Sequence, residues 1–159
     1  MNNIIKDTVN WLSVAKQIPT SKEALIKELQ LVKKLMNEEI DEMIQGVEDN
    51  NRSEQLNGFV DAGWVLSNAY YFLQITDEEY QRECDLVNRS NNTKYCKTLD
   101  EALETKRMYL EGTHPNKLGQ SISTIVITTN SVAYPYAVMN NSGKLLKSIN
   151  FKDINQLDK

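Results

Sequence analysis

Apolar residues recur at helical spacing up to about residue 114, and the pattern then turns strand-like. Ile4, Ile5, Val9, Trp11, Leu12 and Ala15 predict a short helix over 4–16. Pro19 breaks it, and Thr20 or Ser21 caps the next, with Glu23 in its first turn. That helix, 22–45, places Leu25, Leu29, Val32, Leu35, Met36, Ile40 and Met43 at core spacing. Gly46 and "EDNNRS" end it. Ser53 is the expected N-cap of a long helix over 54–74. Thr76 caps "DEEYQRECDLVNRSN", whose early acids suit the positive end of the helix dipole. Thr98 caps a fifth helix that Gly112 stops. Beyond it, "STIVITT" is β-branched, and "YPYAVM", "NNSG" and "KLLKSINF" read as a hairpin with its turn at Asn-Ser-Gly. The expected fold is mainly α, a helical domain over 1–114 with a small C-terminal β-hairpin extension over 115–159.

The second helix carries a feature that amphipathicity does not explain. Glu38, Glu39, Asp41 and Glu42 fall within five positions. At 100° per residue, Glu39 lies inside the apolar arc, Glu38 and Glu42 lie on its edge, and Asp41 faces away. Lys33 and Lys34 sit on other parts of the wheel, and no base follows on the next turn. A carboxylate turned inward needs a partner, a proton or a metal. A hydrated Mg²⁺, which takes oxygen ligands, suits it. Taken alone, this stretch reads equally well as a solvated face.

The third helix repeats the oddity. "SEQLNGFVDAGWVLSNAYYFL" is apolar nearly all round, as a core helix is, yet Asp61 sits in its middle. Glu54, Asn57 and Asn68 share the Asp61 face, and Gly58 leaves room there for another helix, a metal or a ligand. Downstream, "LVNRSNNTKYC" offers Asn88, Arg89, Ser90, Asn91, Thr93 and Lys94, the donors expected around phosphate oxygens.

Composition narrows the classes. A net charge of −4 with both signs interspersed argues against a nucleic-acid binder. No apolar run reaches the roughly 20 residues of a membrane span, and no signal-peptide layout opens the chain, so a cytoplasmic protein is expected. Cys84 and Cys96 make no framework, and the single His114, expected in a loop, excludes a His-rich site within one chain. A metal would be held by oxygen.

Taken in order, the EExxE of residues 38–42, "NGFVDAGWV", "RSNNTK" and the tail "GKLLKSINF" resemble the MazG-like, all-α nucleoside triphosphate pyrophosphohydrolase superfamily. That superfamily includes the dimeric dUTPases and phosphoribosyl-ATP pyrophosphohydrolase, and the small phage-type members are most similar. The resemblance spans nearly the whole chain and is densest over 35–95. It implies an antiparallel helical bundle that hydrolyses a nucleoside or deoxynucleoside triphosphate to monophosphate and pyrophosphate, in nucleotide-pool control. It further implies Mg²⁺, or Mn²⁺ in its place, and a homodimer or homotetramer. Glu38, Glu39, Glu42 and Asp61 match the metal-binding acids, with Glu39 or Glu42 as the catalytic base. Asn57, Asn88, Arg89, Asn91 and Lys94 match positions facing the nucleotide and its phosphates. The family often has a further acid where this chain has Asn57 and Gly58, and Glu54 stands two turns before Asp61 as a substitute. Two other readings stand beside the enzyme: a non-catalytic nucleotide-binding or regulatory relative, and a helical interaction module.

Overall fold

The computed structural model describes residues 3–116, 122–127 and 131–157. It is mainly helical, with the element order α1 (Asn3–Ala15), α2 (Lys22–Glu48), α3 (Arg52–Phe72), α4 (Asp77–Asn92), α5 (Leu99–Leu110), β1 (Ile122–Ile127), β2 (Tyr136–Asn140) and α6 (Ile154–Leu157). Two compact units divide it, Met1–Tyr80 and Gln81–Lys159, and the division falls inside α4. None of the described helices is long and apolar enough to cross a membrane.

In the first unit, α1 and α2 both pack on α3. Ser21 caps α2 by accepting the Ala24 N–H at 3.1 Å. The cap of α3 is Asn51, not Ser53: its side chain accepts the Glu54 N–H at 3.3 Å, and its amide donates to the Glu54 carboxylate at 2.9 Å. Asn begins the helix two residues earlier than expected because Asn50 turns the chain with a positive φ of 52°. Val32, Val65 and Phe72 form the core, packed by Leu25, Leu35, Met36, Ala69 and Tyr71. At the outer end, Trp11 of α1 meets Trp64 of α3 edge to face, with centroids 6.4 Å apart.

The third helix is not enclosed as its composition predicts. Phe59 is 69 % exposed and Leu66 58 %. Within this unit only α1 and α2 pack on α3, too little to cover a helix that is apolar all round.

In the second unit, β1 and β2 pair antiparallel, from Ile127 opposite Tyr136 to Ile122 opposite Asn140, with an irregularity between Ile122 and Thr124. Both strands pack on α5, so residues on either side of 114 share one unit. The strand read in "STIVITT" is present as β1; its last two residues, 128 and 129, lie outside the described residues. The hairpin expected around "NNSG" exists only at its turn. Gly143 takes φ +78°, and the Asn140 side chain accepts from the N–H groups of Ser142 and Lys144. The following arm makes one bridge, Leu145 opposite Met139, and the Leu146 N–H donates to Val138 O. Strand pairing goes to β1, whose β-branched run suits it better than "KLLKSINF". Cys96, Ala102, Val138 and Leu146 form this core, with Tyr109 and Tyr136 against it.

Candidate functional site: the acids of α2 and α3

The short turn after α2 sends α3 back along it. Gly46 lies against Glu54 and Gln55, and further along Gly58 lies against Glu39 and Met43. A Cβ on Gly58 would stand 2.9 Å from the Glu39 carbonyl oxygen and 2.8 Å from Met43 Cγ. The room left by Gly58 is therefore filled by the backbone of α2. An acid at 58 is thus excluded by packing.

This crossing brings the expected acids to one edge. Glu39 is half-buried, and Glu38, Glu42 and Asp61 are exposed. The Glu39 carboxyl is held above the ordinary carboxylate value. Partial burial is the first cause, followed by the negative charges of Glu42, Asp61 and Glu38. Three of these acids come from α2 and one from α3.

Several expectations change. Lys34 does reach the cluster: its Nζ lies 3.3 Å from Glu38, one helical turn on. The wheel angle between them is small enough for a flexible lysine to cross. Asp61 is exposed rather than buried, because α3 is covered only by α1 and α2. The Glu54 carboxylate accepts from the side-chain amide of Asn51, the residue that caps its own N–H. Asn57 is exposed, and Asn68 donates to its own helix at Val65 O, 2.9 Å.

Among the described residues, no three His, Cys, Asp or Glu side chains converge as a ready metal cage. Carboxylate oxygens are the ligand type that Mg²⁺ takes, and among the described residues Lys34 pairs with one of these acids, Glu38.

Of the residues expected to contact phosphates, Asn88, Arg89, Asn91 and Lys94 lie in the second unit, the first three on α4, which ends at Asn92, one residue past the helix read from the sequence. Asn88 and Arg89 are exposed on its last turns. Lys94 Nζ donates to the Asn91 side-chain Oδ1 at 2.7 Å, so these two side chains pair with each other. Ser90 and Thr93 hold the C-terminal segment instead of facing a ligand. Ser90 Oγ donates to Lys152 O at 2.9 Å, and Thr93 Oγ1 accepts the Lys152 N–H at 2.9 Å. Ser148 Oγ completes the latch by donating to Thr93 O at 2.8 Å. No local sequence signal marks this latch, because its partners lie 55–62 residues apart. His114 lies outside helix and strand, yet it is 1 % exposed and stacks on Tyr109 at 4.0 Å.

Compared with family models, curated proteins and solved structures, the chain matches none.

Proposed function

We propose that the chain is a Mg²⁺-dependent nucleoside triphosphate pyrophosphohydrolase, acting on a ribo- or deoxyribonucleoside triphosphate. The observation that carries this reading is Glu39: a half-buried carboxyl whose affinity for protons is raised by Glu42, Asp61 and Glu38 across two helices. Like charges gathered at one edge favour binding of a cation.

Glu38, Glu39, Glu42 and Asp61 would hold the ion, which neutralises charge on the phosphate chain and acidifies a bound water. Glu39, with its raised proton affinity, is the better base of the two candidates. Its place against Gly58 fixes the backbone beneath it. By the resemblance, Asn57 and, in the second unit, Asn88, Arg89, Asn91 and Lys94 would be the residues that meet nucleotide and phosphates. Mn²⁺ would serve in place of Mg²⁺.

Assembly as a homodimer or homotetramer belongs to the same proposal. The first unit carries an apolar groove of about 730 Å³ lined by Ile40, Met43, Phe59 and Leu66 among others. A second copy presents the same apolar face and would cover it.

The test is pyrophosphate release from a panel of nucleoside triphosphates with Mg²⁺. Binding of a nonhydrolysable analogue without turnover identifies a regulatory relative instead. If Mg²⁺ and nucleotide together leave stability unchanged, the interaction module stands.

A further inference from the structure

The second unit holds a cleft of about 600 Å³ that the acids of α2 and α3 do not enter into. Arg89, Lys97 and Lys152 line it, with the rings of Tyr95 and Tyr134. The chain as a whole is acidic, at −4, so three basic side chains in one cleft invert the local sign. Among the described residues none of the three is in an ion pair. Glu101, the one acid of the lining, accepts the Lys97 N–H at 2.8 Å and so serves the start of α5.

The walls are tied together. The latch of Ser90, Thr93 and Ser148 fixes the segment carrying Lys152 to the end of α4. Tyr95 and Tyr134 pack with centroids 5.0 Å apart, and the Tyr134 N–H donates to Ser131 Oγ at 3.2 Å. A helix C-terminus ordinarily repels an anion. Here the last carbonyls of α4 are already bonded: Ser90 O by the N–H of Thr93, Asn91 O by that of Lys94, and Asn92 O by that of Tyr95. Arg89 in the last turn offsets the remaining dipole.

We propose that this cleft binds a nucleoside monophosphate, with the phosphate held by Arg89, Lys97 and Lys152 and the base against the Tyr95–Tyr134 pair. The volume suits a small ligand. A guanidinium and two ammonium groups match phosphate oxygens, and the paired tyrosines offer an aromatic wall to a planar base. The inference goes beyond the pyrophosphohydrolase reading: it shares Arg89 with that reading and needs none of its carboxylates.

Calorimetric titration of the full chain with AMP, CMP, GMP and UMP in EDTA tests it, since chelation removes any cation from the acids. At least one monophosphate is expected to bind. Lys97→Ala and Lys152→Ala should each weaken it about tenfold, the factor one charge-assisted hydrogen bond supplies. Tyr95→Leu should weaken the nucleotide and leave inorganic phosphate unchanged. Glu39→Gln should leave binding intact, which separates this site from the acids. The proposal is overturned if no monophosphate binds, if both lysine variants bind like the parent, or if only a single-stranded oligonucleotide binds.

Discussion

The Gly58 Cα faces the backbone of Glu39 so closely that one added methyl would stand 2.9 Å from the Glu39 carbonyl oxygen. The crossing of α2 and α3 at this point places Asp61, one turn beyond Gly58, on the side of Glu39 and Glu42. Helix propensity favours alanine over glycine by roughly 1 kcal/mol, but the contact is with backbone, which cannot swing aside. Gly58→Ala is expected to destabilise the protein by about 1–3 kcal/mol, the usual cost of overpacking. Gly63, five residues on in the same helix, would meet only Ile4 side-chain carbons at 3.7 and 3.9 Å. Gly63→Ala should therefore stabilise by up to about 1 kcal/mol. Denaturant unfolding of the two variants gives opposite signs if the crossing is as described.

Glu39 makes stability depend on pH in a defined direction. Its carboxyl is raised above 4.5 by partial burial and then by Glu42, Asp61 and Glu38. Near this group the folded state binds a proton more tightly than the unfolded chain does. The stability it contributes is complete at low pH and is lost as pH rises from the ordinary value through the raised one. Glu39→Gln removes the repulsion. Without metal, the variant should be more stable at pH 7 by about 0.2–1 kcal/mol, the scale of exposed charge pairs. Mg²⁺ should raise the Tm of the parent and leave that of the variant unmoved.

His114 works in the opposite sense. Burial holds its imidazole below the ordinary value, the charge of Lys147 adds to this, and the Ser148 backbone pulls the other way without reversing it. Nδ1 accepts the Asn116 N–H at 3.1 Å, so the neutral ring carries its proton on the buried Nε2. The unfolded chain takes up a proton near 6.5, before the folded chain does. Stability is complete above that value and falls as pH drops through it toward the lower folded value, by at most about 1.4 kcal/mol per pH unit. His114→Phe keeps the stack on Tyr109, and its unfolding midpoint should lose this acid dependence.

The latch on the C-terminal segment gives a fourth outcome. Thr93→Val removes the hydroxyl that donates to Ser90 O at 2.7 Å and accepts the Lys152 N–H. A loss of about 1–3 kcal/mol is expected, because the Lys152 N–H and the groups around it lose a partner. Hydrogen exchange at the Lys152 amide should accelerate in the variant.

The helices were legible in the sequence because their signals are local. Ser21, Thr76 and Thr98 mark caps within three residues of the groups they bond. Ser53 misled because Asn51, an equally good cap, stands two residues earlier in a run of turn-formers. The meeting of Glu39 with Asp61 was legible as two matching oddities, one on each helix. The role of Gly58 was not, since only the crossing decides which backbone approaches it. The partner of β2 was also hidden. Two candidate segments flank it, and the choice of β1 depends on pairing across a connection that no local pattern encodes. Ser90 and Thr93 read as ligand donors because the residues they bond lie about 60 positions away.

Pyrophosphate release by the purified chain, measured across the four dNTPs and four NTPs with Mg²⁺ and then in EDTA, tests the central claim most directly. Metal-dependent formation of monophosphate and pyrophosphate is expected from at least one of them. A loss of about a hundredfold or more is also expected in Glu39→Gln, the scale of general-base catalysis. Turnover that survives Glu39→Gln undiminished, orthophosphate as the only product, or no turnover of any nucleotide would contradict it.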